Sequence, residues 1–140
     1  MAIIVGACLL GICCRYDGKI KTDENICALA KTDTLIPVCP EQLGGRPTPR
    51  LPVEIKNGRV VEKDGADHTD EFIKGAYEVL KIAKINCVKN AVLKSNSPSC
   101  GFGKIYDGTF SKTLVNGNGI TAEILNENGI EIKTENDLKA

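Results

Sequence analysis

Short apolar runs alternating with amphipathic stretches constrain this 140-residue chain more than any other feature. Residues 2–10 open as a continuous apolar run, the pattern of a strand buried on both faces. Residues 34–38 and 88–94 read as two further strands, and residues 130–133 as a fourth. Helices fall between them. Residues 21–30 can be capped by Thr22 or Asp23 and place Ile26, Leu29 and Ala30 on one face. The longest helix starts at a Thr69 or Asp70 cap and runs to about residue 85. Its apolar stripe is Phe72, Ile73, Ala76, Val79, Leu80 and Ala83. Residues 120–128 form a short helix stopped by Gly129.

Two segments break the alternation. Residues 53–62 are two β-like runs around Asn57-Gly58, the preferred type I′ hairpin turn. Residues 101–118 carry glycine at 101, 103, 108 and 117 without clear periodicity, so a lid or substrate loop is expected there. The predicted fold is α/β and three-layered: a mainly parallel, four-stranded, Rossmann-like sheet with a small β-hairpin excursion, in a single domain spanning 1–140.

Such a sheet places the loops after its strands on one rim, where open α/β sheets bind ligands. Cys8 falls at the end of the first strand, Cys39 at the end of the second, and Cys100 just past the third. After Cys39 the chain carries prolines at 40, 47, 49 and 52, together with Gly44-Gly45, Glu41, Arg46 and Arg50. Four fixed φ angles make this loop stiff, as suits either a site or a surface connection.

Lysine plus arginine equals aspartate plus glutamate, 18 of each, so no global field attracts nucleic acid or an anionic membrane. Tryptophan is absent and aromatics are scarce, which argues against a single-strand stacking platform. No apolar run approaches the ~20 residues of a membrane span. The N-terminus lacks a basic segment and enters a strand pattern at once, so a cytoplasmic location is expected. Seven cysteines, an odd count, speak against a disulfide scaffold and for buried thiols, metal ligands or reactive groups. The single histidine, His68, removes most His-ligated zinc enzymes and is expected as a solvated residue at a helix start.

Three rim thiols could hold zinc or an iron–sulfur cluster, although no C-x2-C spacing marks either. Cys13 or Cys14 could add a fourth ligand or pack the loop, and Cys27 and Cys87 read as core residues. Glu41 could move protons or be an exposed loop carboxylate. Ser97 could bond a substrate, or with Ser95 and Ser99 simply serve the turn around Pro98. Arg15, Arg46 and Arg50 could hold an anion or pin loops through carbonyls.

Three ordered motifs resemble the DUF523 family, whose characterised members are thiouracil desulfurases. They are Ala7-Cys-Leu-Leu-Gly11 with Arg15-Tyr-Asp-Gly18, then Pro37-Val-Cys-Pro-Glu41 with Gly44-Gly45 and Pro47-Thr-Pro-Arg50, and Lys94-Ser-x-Ser-Pro-Ser-Cys-Gly101. The resemblance implies an enzyme with a 4Fe-4S cluster on three cysteines, here Cys8, Cys39 and Cys100. It implies that the open iron takes sulfur from a thiolated pyrimidine as hydrosulfide while water replaces it on the ring. Glu41 and Ser97 match the family's proton-transfer and catalytic positions. Neither a membrane nor a nucleic-acid polymer is an expected partner. The Cys13-Cys14 pair departs from the pattern by adding a thiol beside the first ligand. Two rivals stand beside this reading. A thiol phosphatase or arsenate reductase needs C-x5-R, whereas Cys8 to Arg15 is C-x6-R. A non-enzymatic metal- or sulfur-binding module would use the same thiols without needing Glu41 or Ser97.

Overall fold

The computed structural model describes residues 1–138. In chain order the elements are β1 (Ala2–Gly6), α1 (Glu24–Cys27), β2 (Thr34–Val38), α2 (Pro40–Leu43), β3 (Val53–Lys56) and β4 (Arg59–Glu62). There follow α3 (Thr69–Ile85), β5 (Asn90–Leu93), β6 (Lys104–Tyr106), β7 (Leu114–Asn116), α4 (Ile120–Glu127) and β8 (Glu131–Thr134). Single 3-10 turns lie at Ala7–Leu10, Ala28–Lys31 and Glu135–Leu138.

The predicted sheet is present, four-stranded and fully parallel, in the order β2-β1-β5-β8. Strand alternation sorts its side chains between two cores. Ile4, Ala91, Leu93 and Ile132 pack with Val79, Leu80 and Ala83 of α3 and with Ala122 and Leu125 of α4. Val5 and Val92 face the other way, onto Leu9, Ile26 and Leu138. Both faces are covered, and Ile4, Val5 and Leu93 are fully buried. From β1 the chain crosses to β2 on one side, and later to β5 on the other. The switch point therefore lies between β1 and β5, at the carboxyl rim.

The hairpin at 53–62 also forms, with Asn57 and Gly58 both at positive φ, as a type I′ turn requires. Several expectations are corrected. β1 stops at Gly6, so Cys8 sits in a 3-10 turn beyond the strand. The helix expected at 21–30 is one α turn capped by Asp23, followed by a 3-10 turn. The proline-rich segment contains α2, with Pro40 in the first turn where its missing N–H costs nothing. His68, not Thr69 or Asp70, occupies the N-cap position of α3. Thr69 lies inside the helix, and its hydroxyl accepts a bond from Val60 N at 2.8 Å. Ile73 is 39% exposed and falls outside the buried stripe. Residues 101–118 are not a structureless loop: β6 and β7 pair as an antiparallel hairpin. All of β7 is exposed, so no alternation betrays it in the sequence.

Helix α2 lies tightly against α3. A Cβ on Gly75 would collide with the Pro40 carbonyl, and one on Gly44 with the Glu71 carbonyl. Backbone meets backbone there, so neither side can yield cheaply. Gly75→Ala is expected to destabilise the fold by about 3 kcal/mol. Thermal denaturation should show Tm lowered by about 10 °C. Because α2 directly follows Cys39, the same change should disturb the site described next.

Candidate active site

The order β2-β1-β5 makes three neighbouring strand ends, and each is followed by one of the expected thiols. Cys39, Cys8 and Cys100 all line one cavity of about 860 Å³ at the carboxyl rim, within the ~300–1,000 Å³ of small-molecule sites. Cys14 joins them. It is only 2% exposed, and its carbonyl accepts the Cys39 thiol at 3.8 Å. The neighbouring Cys39 and Cys8 thiols, together with burial, raise the pKa of Cys14. Cys14 in turn lowers the pKa of Cys8, against burial and the Cys39 charge. Cys39 is brought to about 7, first by Cys14 and further by the Gln42 backbone N–H and Arg50, against burial and the Glu41 charge. Burial instead pushes Cys100 well up, with the neighbouring Cys8, Glu41 and Cys39 acting in the same direction.

Arg50 ties the segments that carry these thiols. Its Nε donates to Glu41 Oε1 at 3.1 Å and its Nη2 to the Cys14 carbonyl at 2.8 Å. Its Nη1 reaches the Pro47 carbonyl and Thr48 Oγ1, both at 3.0 Å. With 3% of its side chain exposed, Arg50 is an internal strut that aims Glu41 along the cavity wall. Glu41 Oε2 has no protein partner among the described residues.

Ser97 Oγ accepts the backbone N–H groups of Ser99, at 3.1 Å, and Cys100, at 3.0 Å. Both lone pairs are thereby engaged, and the hydroxyl proton is left to donate. Ser97 lines the cavity, so turn chemistry and a place in the cavity wall are combined in one side chain. The same wall carries Ser95, Lys94 and Glu135. Glu135, just beyond β8, escaped the sequence reading, although its place after the fourth strand of a parallel sheet is the topological signal that marked the cysteines.

The remaining candidates separate. Arg15 lines the cavity, but its guanidinium forks onto Asp17 at 3.1 and 3.0 Å. It is not offered to a phosphate beside Cys8, which disfavours the thiol-phosphatase rival. Arg46 lies outside the cavity. Its Nη1 stands 3.2 and 3.0 Å from the two ring nitrogens of His68, and its Nη2 donates to the Leu51 carbonyl at 3.0 Å. His68 is not solvated: its ring nitrogens meet Glu71 at 2.9 Å and Glu62 at 2.7 Å. Burial opposes its charge, but the two carboxylates prevail and its pKa is raised. Cys13 and Cys87 are exposed and Cys27 is half-buried, so Cys87 is not a core residue as expected. Cys87 follows α3 at positive φ, where the chain leaves the helix.

The donor set fits an iron–sulfur cluster. Soft thiols from three strand ends surround one cavity, and two of them are biased toward the thiolate that binds iron. Among the described residues, no three His, Cys, Asp or Glu side chains are disposed to hold a single metal ion.

Comparison with known proteins agrees with this chemistry. A family described as 2-thiouracil desulfurase matches residues 3–137. The uncharacterized protein YbbK of Bacillus subtilis (strain 168) is 40% identical over 146 residues, covering 97% of this chain and 97% of its own length. A solved structure described as the 4Fe-4S-dependent thiouracil desulfidase TudS is 41% identical. It superposes with a TM-score of 0.92 over 98% of this chain and 92% of that one.

Proposed function

The chain belongs to the 2-thiouracil desulfurase family, and we propose that Cys8, Cys39 and Cys100 hold its cluster while Glu41 and Ser97 move and hold the protons of the reaction. The enzyme is a 4Fe-4S-dependent thiouracil desulfurase. The observation that carries the ligand assignment is the lining of one cavity by the thiols that follow β2, β1 and β5, beside Glu41 and Ser97. No helix among the described residues is long and apolar enough to cross a membrane. A small thiolated pyrimidine, as free base or nucleoside, is the substrate class we assign, and no nucleic-acid polymer is required.

The reaction exchanges ring sulfur for the oxygen of water, without net oxidation or reduction. When bound, the cluster supplies a thiophilic, Lewis-acidic iron for that sulfur. The protein supplies position and proton transfer. Arg50 fixes one oxygen of Glu41, which lines the cavity, and the other oxygen, without a protein partner among the described residues, takes a proton from the water that attacks the ring carbon. Ser97 donates its hydroxyl proton as a hydrogen bond to the ring. Buried apolar residues under the rim, such as Val38 and Leu9, limit competing water.

Cluster-loaded protein given 2-thiouracil or 4-thiouracil should release uracil and sulfide in equal amounts, followed by chromatography and sulfide assay. A full cluster with no uracil from either compound would favour the binding-module alternative.

A further inference from the structure

Lys94 and Glu135 are brought together by sheet register. Leu93 of β5 pairs with Thr134 of β8, so the next residue of each strand emerges side by side at the carboxyl rim. Glu135 is 8% exposed and accepts three hydrogen bonds: Lys94 Nζ at 2.6 Å, Ser95 N at 2.7 Å and Ser95 Oγ at 2.9 Å. Burial alone would raise its pKa, but these donors, led by Lys94, bring it below the usual carboxylate value. Charged carboxylate and ammonium are both held in place.

A structural clamp would account for the ion pair but not for the cavity on its other side. The Lys94 side chain is 35% exposed and lines the cavity, near enough for its charge to act on Cys8. Of its three N–H groups, one faces Glu135 Oε2 and one Ser95 Oγ at 3.4 Å. The third has no protein partner among the described residues.

We propose that Lys94 is a substrate-contacting cation of this site and that Glu135 is its positioning residue. The inference rests on the desulfurase reading. In the thiolate form of the substrate the sulfur-bearing carbon is doubly bonded to a ring nitrogen, and water adding to that carbon moves the C=N pair onto the nitrogen, which shares it with the conjugated exocyclic oxygen. A fixed ammonium beside that oxygen stabilises the charge without reorganising. Lys94 keeps its proton throughout. One proton of the water passes to Glu41 and from there to the ring nitrogen, while the other passes from the new hydroxyl to the sulfur as C–S breaks and C=O forms, so thiolate and water give uracil and hydrosulfide.

The test compares Lys94→Met, Lys94→Arg, Glu135→Gln and the double variant Lys94→Met/Glu135→Gln. It reads iron content, steady-state kinetics with 2-thiouracil, and binding of uracil by calorimetry. Lys94→Met should keep its iron, lose about 100-fold in kcat/KM and bind uracil about tenfold more weakly. Lys94→Arg should recover all but about tenfold of that kinetic loss. Glu135→Gln should lower kcat about tenfold alone and add nothing in the Lys94→Met background, since its effect passes through the lysine. Unchanged kinetics and uracil binding in Lys94→Met would overturn the proposal. So would loss of fold or iron in both Lys94 variants, which would make the lysine a clamp only. Absence of turnover in the unsubstituted protein would count against the desulfurase reading itself, and uracil binding would still decide the role of Lys94.

Discussion

Alanine in place of Cys8, Cys39 or Cys100 should each reduce the protein from about four irons per chain to less than one. Losing one of the three proposed ligands would leave an iron bonded only to cluster sulfide, and His68 is engaged by Glu62 and Glu71 away from the cavity. Cys13→Ala and Cys87→Ala serve as controls, because both residues are exposed and neither lines the cavity. They should keep their iron and their visible absorbance. Iron and acid-labile sulfide assays on anaerobically reconstituted proteins separate the two groups. A Cys100→Ala protein with a full cluster would show that its ligand was misassigned.

Glu41→Gln should have the second largest effect, on turnover and not on the cluster. The amide oxygen can still accept the Arg50 bond now made at 3.1 Å, so the loop should hold its shape. What disappears is an oxygen able to take a proton. Positioned proton transfer contributes about 10²–10⁴-fold, and kcat should fall by that range with iron content unchanged. Single-turnover uracil formation measures it. Wild-type turnover in this variant would assign the proton to another group.

These residues differ in how much of their role the sequence carries. The parallel sheet was readable because buried strands leave continuous apolar runs, as at 2–10, and the hairpin because Asn57-Gly58 needs two positive φ angles. The thiols were readable from topology alone, since position after a strand is set by the order of elements. Side-chain partners were not. Arg50 as a strut, Arg46 over His68, and Cys39 bonded to the Cys14 carbonyl depend on how loops far apart in sequence fold onto each other. The hairpin of β6 and β7 was hidden because three-residue exposed strands carry no periodicity. Glu135 was hidden for another reason: it follows the last strand by one residue, and carboxylates are common in such places.

The desulfurase account stands or falls on what the rim thiols bind. Anaerobically purified and reconstituted protein should contain about four irons and about four acid-labile sulfides per chain, with a broad absorbance at about 400 nm. That absorbance should change when 2-thiouracil is added. Zinc in place of iron, or no metal after reconstitution, would contradict the account.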